Sequence, residues 1–367
     1  MKLALVHDYL NQLGGAERVV GTLHEIFPEA PIYTSIYDDR KLPSIFQEME
    51  IKTSFMQYFP WISSLFRYYL LFYPLAFESF DLSEYEVILS SSSAWAKGVK
   101  KRADQLHICY CHNPMRFVWR YEDYIKQEPV PAWLKSFLPL LLAPIKKWDL
   151  QNSPRVDYFI ANSRTVADRI KKIYQRESVI INPPVDCSFF KPSDQDQDYF
   201  LVVSRLSAYK RIDLVIEAFK RLDLPLKIIG EGPARKKLAA MAGENTEFIG
   251  KVSDDRLQQY LAGCRALIFP GEEDFGIVPL EAMACGRPVI AFKAGGALET
   301  MVEGETGLFF GSQTVESLVK TVENFQFRLF NKIIIREHAK KYDKEIFKLR
   351  IKEFVKERLN QRKNEKK

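Results

Sequence analysis

The sequence predicts an α/β protein with two domains in series, each built on a mostly parallel sheet. The chain has 367 residues, enough for two hydrophobic cores. Short apolar runs alternate with helical patterns in both halves, as is typical of parallel sheets covered by helices. A stretch rich in Pro, Ser, Asp and Gln, 187–198, separates the halves and is interpreted as the linker. The predicted domains are therefore 1–187 and 188–343.

The first half opens with a buried strand, Leu3–His7, and Gly14-Gly15 then lead into a helical pattern from Glu17 to Phe27. Pro28 ends this helix, because proline has no N–H to continue the hydrogen-bond ladder. Further apolar runs predict strands at Ala30–Tyr37, Val87–Ser90, Leu106–Cys111 and Tyr158–Ala161.

The second half repeats this alternation. Its predicted strands are Phe200–Ser204, Leu226–Gly230, Glu247–Ile249, Ala266–Phe269, Pro288–Phe292 and Gly307–Phe310. Helical patterns at Ile212–Leu222 and Ser253–Cys264 lie between them. A last helix, 344–359, is predicted to pack back on the first domain. Two such domains in series suggest a ligand in the cleft between them, near the carboxyl ends of the strands.

Composition excludes several classes of protein. The net charge of +6 is spread widely and no nucleic-acid-binding signature accompanies it, so no nucleic-acid partner is predicted. Five cysteines, an odd number scattered through apolar runs, indicate reduced thiols in a cytoplasmic protein, and no pair has the spacing of a metal site. The N-terminus lacks the pattern of a signal peptide, and no run reaches the roughly 20 apolar residues that span a bilayer.

The most informative feature is a pair of carboxylates, Glu273 and Glu281, eight positions apart with Gly276 and Pro279 between them. The glycine and proline argue against one unbroken helix. We therefore expect Glu273 on a loop after a strand, and Glu281 in the first turn of the following helix. The start of such a helix favours a phosphate, and carboxylates beside it would accept hydrogen bonds from hydroxyls. This combination predicts a sugar nucleotide as the ligand.

Two cations, Arg205 and Lys210, follow the strand Phe200–Ser204. An arginine fork and a lysine point charge can both bind a diphosphate and neutralise the charge on a leaving group. The alternative is that they are two solvated basic residues on a loop.

With these two elements the chain resembles the retaining glycosyltransferases of family four, which have the GT-B fold. The resemblance covers nearly the whole chain. The matching motifs are Gly14-Gly-Ala-Glu-Arg18, Cys111-His-Asn-Pro114, Asn162-Ser163, Pro184-Val-Asp186, Ser204-Arg205 to Lys210, Gly230-Glu-Gly-Pro233 and Glu273 to Glu281. The resemblance implies two Rossmann-like domains facing each other across a central cleft. It also implies a nucleotide-sugar donor, no cofactor and no metal ion.

The resemblance further implies roles for individual residues. Arg205 and Lys210 would grip the diphosphate, Glu273 the sugar hydroxyls and Glu281 the ribose. The other residues implied in donor binding are Gly14, Gly15, Gly230, Gly232, Lys251, Val252, Phe275, Gly276, Ile277 and Val278. His112 would hydrogen-bond the donor sugar or shape the acceptor site, with Trp119 and Arg120 close by in sequence.

Plainer interpretations remain for two of these features. A lone histidine such as His112 is more often a buried structural residue than a catalytic one. Gly14-Gly15 could simply form a tight turn into a helix.

The first domain also has unusual aromatic content. Its first aromatic segment contains Phe55, Tyr58, Phe59, Trp61, Leu65, Phe66, Tyr68, Tyr69, Phe72, Tyr73 and Phe77. A second apolar segment, 133–142, is followed by Lys146-Lys147. Aromatic segments beside basic residues suit an anionic membrane surface and a lipid-linked glycan acceptor, at the inner face of the cytoplasmic membrane. The alternative is that both segments are core helices.

Asn182-Pro-Pro-Val-Asp186 and Cys111 to Arg116 resemble mannosyltransferases of bacterial surface-polysaccharide pathways, which makes GDP-mannose the expected donor. UDP-linked glucose, galactose or N-acetylglucosamine are alternatives. A UDP-N-acetylhexosamine epimerase of the same architecture and an inactive glycan-binding domain are rivals from other classes. The presence of all four charged residues, Arg205, Lys210, Glu273 and Glu281, speaks against both rivals.

Overall fold

The computed structural model describes residues 1–121 and 132–365, with the side chains of 132–137 left out. The chain divides into two compact units, Met1–Asn182 with Phe347–Lys367, and Pro183–Ile346. The predicted linker, 187–198, is instead part of the second unit. Cys187 and Phe190 are buried in that unit's core, because this polar stretch carries its own apolar anchors.

The first unit is built on a seven-stranded parallel sheet. The strands are β1 Leu3–His7, β2 Ile32–Thr34, β3 Ile51–Thr53, β4 Val87–Ser92, β5 Leu106–Cys111, β6 Tyr158–Ala161 and β7 Ser178–Ile180. Their order in the sheet is β3-β2-β1-β4-β5-β6-β7. The order reverses at β1, so that β1 and β4 are neighbours and the loops after them diverge. Such a switch point is where open α/β sheets bind ligands.

Helices cover this sheet. They are α1 Gly15–Ile26, α2 Ile62–Leu65, α3 Tyr73–Glu78, α4 Arg116–Trp119, α5 Ala132–Asn152 and α6 Arg164–Tyr174. The start of α1 is fixed by Glu17, whose side chain turns back to accept a hydrogen bond from the backbone N–H of Gly14 at 2.8 Å. In α6 the hydroxyl of Ser163 accepts from the N–H of Val166 at 3.1 Å. An N-cap of this kind contributes about 1 kcal/mol.

The second unit has a six-stranded parallel sheet. Its strands are β8 Phe200–Val203, β9 Leu226–Ile229, β10 Thr246–Gly250, β11 Ala266–Phe269, β12 Val289–Phe292 and β13 Gly307–Phe310, in the order β10-β9-β8-β11-β12-β13. Its helices are α7 Ile212–Leu222, α8 Arg235–Met241, α9 Asp254–Gly263, α10 Ile277–Ala284, α11 Ala297–Thr300, α12 Val315–Glu323 and α13 Lys332–Lys340. Here the order reverses at β8, which lies next to β11.

The last helix, α14 Lys344–Glu365, is longer than the predicted 344–359. From Phe347 onward it belongs to the first unit. Phe347, Ile351 and Val355 recur on one face and are buried with residues of β1, β4 and β5. Each fully buried side chain of this size contributes about 1.5–3 kcal/mol, so this stripe attaches the helix firmly.

All five cysteines are buried free thiols. Burial raises the pKa of Cys187 and that of Cys264 to about 12, so these thiols are protonated at neutral pH. Among the residues that the structure describes, no helix is both long and apolar enough to cross a lipid bilayer.

Candidate active site

The two loops at the switch point of the second unit carry Lys210 and Glu273. Lys210 follows β8, and Glu273 follows the neighbouring strand β11. The lysine ammonium donates a hydrogen bond to Glu273 Oε1, so the two side chains form an ion pair. Both are largely but not fully shielded from solvent. Two residues 63 positions apart are thus brought together where a parallel sheet is expected to bind its ligand.

The main chain of Glu273 is held by a third loop, the one after β12. Gly296 donates its N–H to the carbonyl of Glu273 at 2.8 Å. A Cβ on Gly295 would lie 2.3 Å from the same carbonyl oxygen, and Gly295 has a φ of +58°. A side chain at Gly295 would therefore displace the Glu273 loop. Gly295 and Gly296 were not predicted as site residues, although two adjacent glycines shortly after a predicted strand were a usable signal.

Helix α10 begins at Ile277, where the loop that carries Glu273 ends. Gly276 precedes its first residue with a φ of +86°, a conformation that favours glycine. Phe275 is buried in the core, whereas Ile277 and Val278 form the first turn. The first four N–H groups of a helix have no partner within the helix, which makes this end suitable for an anion.

The placement of Glu281 corrects one prediction. It is the fifth residue of α10, beyond the first turn, because the helix begins at Ile277. Glu281 is buried, with only 5% of its surface exposed. Pro279 is accommodated at the third position, where its missing N–H breaks no helical hydrogen bond.

Gly230 and Gly232 are required by the protein's own backbone. A Cβ on Gly230 would lie 1.9 Å from the carbonyl oxygen of Ser204, and one on Gly232 would lie 2.2 Å from that of Leu206. The loops after β8 and β9 are therefore in direct contact. The family resemblance implied a role in donor binding for these two glycines; the close approach of the two loops is an additional reason for glycine at both positions.

The remaining predicted donor residues lie around this edge of the sheet. The carbonyl of Gly250 accepts from the N–H of Gly230 at 2.9 Å, which ties the start of the Lys251-Val252 turn to the Gly230 loop. Lys251 is exposed and Val252 is half-buried. Arg205 is exposed as well, and within the described residues it has no ion pair with Glu273. Within the described residues, Lys210 is therefore paired with Glu273, whereas Arg205 contacts neither of these two side chains through a hydrogen bond or an ion pair.

In the first unit, His112 is the end of a buried hydrogen-bonded chain. Its Nε2 lies 2.8 Å from Ser91 Oγ, and Ser91 Oγ lies 3.2 Å from Nδ1 of His7. His7 Nδ1 also lies 3.0 Å from the carbonyl oxygen of Ser91, which can only accept, so Nδ1 carries a proton. The other ring nitrogen of His7 is 3.9 Å from Glu17, the residue that binds Gly14.

The hydrogen bonds of this chain join His7, Ser91 and His112. Glu17 lies beside the chain without a hydrogen bond to it, since His7 Nε2 has no hydrogen-bond partner among the described residues. Gly14 itself has an ordinary extended φ of −138°, so its conformation does not demand glycine. His7 and Ser91 were missed because both sit inside strands that read as apolar runs.

Burial, together with the smaller effect of the neighbouring His7, lowers the pKa of His112 to about 3. His112 is therefore a neutral imidazole at physiological pH. It can donate or accept a hydrogen bond, but it carries no charge with which to attract a phosphate.

The comparisons with known proteins bear on this site. The sequence profile described as Glycosyltransferase Family 4 matches residues 13–189, and that described as Glycosyl transferases group 1 matches residues 187–326. The two matches join and run from residue 13 to residue 326. The chain belongs to glycosyltransferase family 4. The family predicted from the motifs is thereby confirmed.

Two curated relatives of this family 4 member are mannosyltransferases. The α-1,3/1,6-mannosyltransferase ALG2 of Dictyostelium discoideum is 30% identical over 214 residues, 50% of this chain and 48% of ALG2. The GDP-mannose-dependent α-(1-6)-phosphatidylinositol monomannoside mannosyltransferase of Mycolicibacterium smegmatis is 32% identical over 219 residues, 51% of this chain and 56% of that enzyme. The family 4 chain thus spans about half the length of these curated relatives.

Solved structures extend the likeness to nearly the whole family 4 chain. HepE of Anabaena, in complex with UDP and glucose, matches with a TM-score of 0.73 at 18% identity, covering 97% of this chain and 99% of HepE. The sucrose-phosphate synthase of Thermosynechococcus elongatus matches with a TM-score of 0.74 at 18% identity, with the same coverage of 97% and 99%. The likeness confirms the predicted GT-B fold.

Trp119, expected near the acceptor, belongs to a structural network in this family 4 chain. Its indole N–H donates to Asp149 Oδ2 at 2.7 Å, and Tyr174 donates to the same oxygen at 2.8 Å. Asp149 also forms a buried ion pair with Lys97. A buried charge that is paired and hydrogen-bonded in this way fixes α4, α5 and α6 relative to one another.

Proposed function

We propose that this protein transfers mannose from GDP-mannose to a glycan or lipid-linked oligosaccharide during surface-polysaccharide synthesis, with retention of the anomeric configuration. The observation that carries the proposal is the ion pair of Lys210 and Glu273 at the switch point of the second sheet, beside the start of α10. A cation, a carboxylate and a helix N-terminus together suit a ligand that is part diphosphate and part polyol.

The proposed reaction proceeds on one face of the sugar. The bond between the anomeric carbon and the diphosphate oxygen breaks as the acceptor hydroxyl oxygen bonds to the same carbon. The acceptor proton passes to the leaving diphosphate oxygen. Lys210, Arg205 and the N-terminus of α10 stabilise the charge that develops on the diphosphate, without a divalent metal ion. Glu273 holds the sugar hydroxyls, and Glu281 the ribose.

In this proposal His112 acts as a neutral hydrogen-bonding group that shapes the acceptor side. A pKa of about 3 makes it a poor proton acceptor at neutral pH, which agrees with a mechanism in which the leaving group takes the proton. Ser91 and His7 would hold its ring orientation.

Two lines of support concern the donor. The relatives ALG2 and the M. smegmatis enzyme are named as mannosyltransferases, and the latter as GDP-mannose-dependent. HepE, in contrast, was solved with UDP and with UDP-glucose. We therefore keep a UDP-sugar transferase as the second candidate.

A donor screen tests the proposal directly. The protein is incubated with GDP-mannose, UDP-glucose, UDP-galactose or UDP-N-acetylglucosamine and a polyprenyl-diphosphate-linked oligosaccharide, with a chelator present. We expect mannosylated product only from GDP-mannose, with an α-linkage by NMR. Transfer from a UDP-sugar instead would select the second candidate. Release of an epimer from a UDP-N-acetylhexosamine without acceptor would contradict both.

We also propose that the first unit contacts an anionic membrane surface, at the cytoplasmic face. The structure divides the first aromatic segment. Met56, Tyr73 and Phe77 are buried in the core, whereas a set of large apolar side chains is exposed. The exposed set contains Tyr58, Trp61, Tyr68, Leu71, Phe72, Leu75, Leu140 and Leu141. Residues 133–137 of the second segment lie outside the described side chains.

Exposed basic residues accompany this apolar set, namely Arg67, Lys146 and Lys147. Aromatic and aliphatic side chains with interspersed cations complement an anionic lipid surface rather than a zwitterionic one. We take this complementarity as the support for a lipid partner.

Vesicle sedimentation checks the membrane contact. We expect the protein to sediment with phosphatidylglycerol vesicles at low salt and not with phosphatidylcholine vesicles. The double variant Leu71→Glu, Leu75→Glu should lose most of this binding, because it puts negative charge on the exposed set. Leu329→Glu, Ile333→Glu serves as the control, because these two side chains are even more exposed but lie in the second unit. Undiminished sedimentation of the first variant would contradict the assignment.

A further inference from the structure

The first unit contains a pocket of about 480 Å³ that none of the roles above explains. Three segments form it: the loop after β1, the loop after β2 and the segment after β3. All three follow carboxyl ends of neighbouring parallel strands, the edge at which α/β sheets bind ligands. Its central lining residues are Asn11, Tyr37, Asp38, Gln57, Phe59 and Trp61. We call it the Trp61 pocket.

Backbone contacts hold the walls of the Trp61 pocket together. Leu10 donates its N–H to Ile36 at 2.8 Å and accepts from the N–H of Asp38 at 2.9 Å. The side chain of Gln57 accepts from the N–H of Tyr37 at 2.8 Å and donates to its carbonyl at 3.0 Å. The pocket is therefore formed by the fold itself and requires no ligand to assemble.

Its floor contains a polar group with unused bonding capacity. Asn11 is 3% exposed, and its Oδ1 has no hydrogen-bond partner among the residues that the structure describes. Its Nδ2 lies 3.5 Å from the carbonyl oxygen of Ser63, a contact too long to fix the amide. Leaving a buried amide oxygen unpaired costs free energy, which a ligand hydroxyl would recover once the amide turns towards it.

The carboxylate of Asp38 gives the pocket a fixed charge. It accepts from Arg40 Nε at 3.0 Å and from the hydroxyl of Ser63. The hydrogen bond from Arg40 is the main cause that lowers the pKa of Asp38 to about 2, so the side chain is ionised at neutral pH. Arg40 is exposed and keeps further N–H donors that can reach a ligand.

The rim of the pocket carries an indole held out towards solvent. Trp61 is 79% exposed and adopts a left-handed conformation with a φ of +47°. Its carbonyl accepts from the N–H groups of Ser64 and Leu65, each at 2.9 Å, which starts α2 and fixes this conformation. An exposed aromatic side chain at the edge of a pocket with polar lining groups suits a pyranose, whose C–H face is apolar and whose edge bears hydroxyls.

We propose that the Trp61 pocket binds a sugar ring of the acceptor glycan, stacked on Trp61 with its hydroxyls directed at Asn11 and Arg40. This inference rests on the proposed function, because it names the acceptor's own binding site. The lining combines these polar groups with the apolar side chains of Ile36 and Ile62, a mixture that matches a sugar ring with an apolar face and hydroxyl-bearing edges. The loop that carries Asn11 continues into the Gly14-Gly15 turn, where Gly14 donates its N–H to Glu17.

Direct binding of saccharides tests the inference. The probes are α-mannobiose, cellobiose and chitobiose, observed by saturation-transfer NMR and by titration of tryptophan fluorescence. We expect at least one of them to bind the parent protein. Trp61→Ala should weaken that binding about tenfold or more, equivalent to about 1.4 kcal/mol, because the stacking face is lost. Asn11→Leu, of similar volume, should weaken it to a similar degree without lowering the melting temperature.

Tyr58→Ala is the matched control, since Tyr58 is 87% exposed in the same segment but does not line the pocket. It should bind the saccharides as the parent does. Binding of GDP and UDP is measured on the same samples. If neither nucleotide binds the parent, the proposed function is wrong. If a nucleotide binds but Trp61→Ala and Asn11→Leu retain full saccharide affinity, or no saccharide binds the parent, the Trp61 pocket is not the acceptor site.

Discussion

Glu273→Gln should lower the turnover number for sugar transfer by at least about a hundredfold, the range found when one preorganised polar contact to the reacting group is removed. Glutamine has nearly the shape of glutamate but no charge. It would therefore hold the sugar hydroxyls less strongly and would no longer pair with the Lys210 ammonium. Affinity for GDP alone should stay equal or increase, because the lysine charge is released for the diphosphate.

The measurement is steady-state transfer from GDP-mannose together with calorimetric titration of GDP. Glu272→Gln is the control, since Glu272 is the exposed neighbour of Glu273 and has no proposed role. It should retain the turnover of the parent. A Glu273→Gln protein of undiminished turnover would refute the sugar-facing role, and a large loss of GDP affinity would assign Glu273 to the nucleotide.

Lys210→Ala should weaken binding of nucleoside diphosphates by about 10- to 100-fold, because a hydrogen bond between charged groups contributes about 1.5–3 kcal/mol. The effect on folding should be much smaller. The ion pair with Glu273 is partly exposed, and such pairs contribute at most about 1 kcal/mol. Binding and folding are thereby separable in one variant.

Calorimetric titration with GDP, UDP and ADP gives the affinities, and thermal melting gives the stability. Lys220→Ala, an exposed lysine on α7 of the same unit, controls for loss of charge in general. We expect it to bind nucleotides as the parent does. Identical nucleotide affinities for Lys210→Ala and the parent would show that the phosphate assignment is wrong.

The sequence predicted most strands closely because parallel strands buried on both faces read as continuous apolar runs. Leu106–Cys111, Ala266–Phe269 and Gly307–Phe310 have the same bounds in the structure as in the prediction. β3 and β7 were not predicted, because each is a three-residue strand at an edge of the sheet and neither is fully buried. Short, half-exposed segments have too little apolar pattern to separate them from loops.

The candidate site shows a similar division. The residue types in the Lys210 and Glu273 loops indicated phosphate and sugar chemistry, but their pairing depends on β8 lying beside β11, which no local pattern encodes. Ser91 and His7 were not predicted as site residues, because each lies within a buried strand. Glu281 lies just beyond the first turn in which it was predicted, because helix ends are the least certain part of a sequence-based assignment.

The carboxylate of Glu273 pairs with the Lys210 ammonium, and this sets a condition on any molecule that binds there. A nucleoside diphosphate without a sugar would draw the Lys210 ammonium away and leave the Glu273 carboxylate without a countercharge. A sugar nucleotide offers phosphate oxygens to one partner and hydroxyl donors to the other in the same event. With the roles proposed for Lys210 and Glu273, the pair would bind the intact donor more tightly than the nucleoside diphosphate product, which would favour release of the product after each transfer.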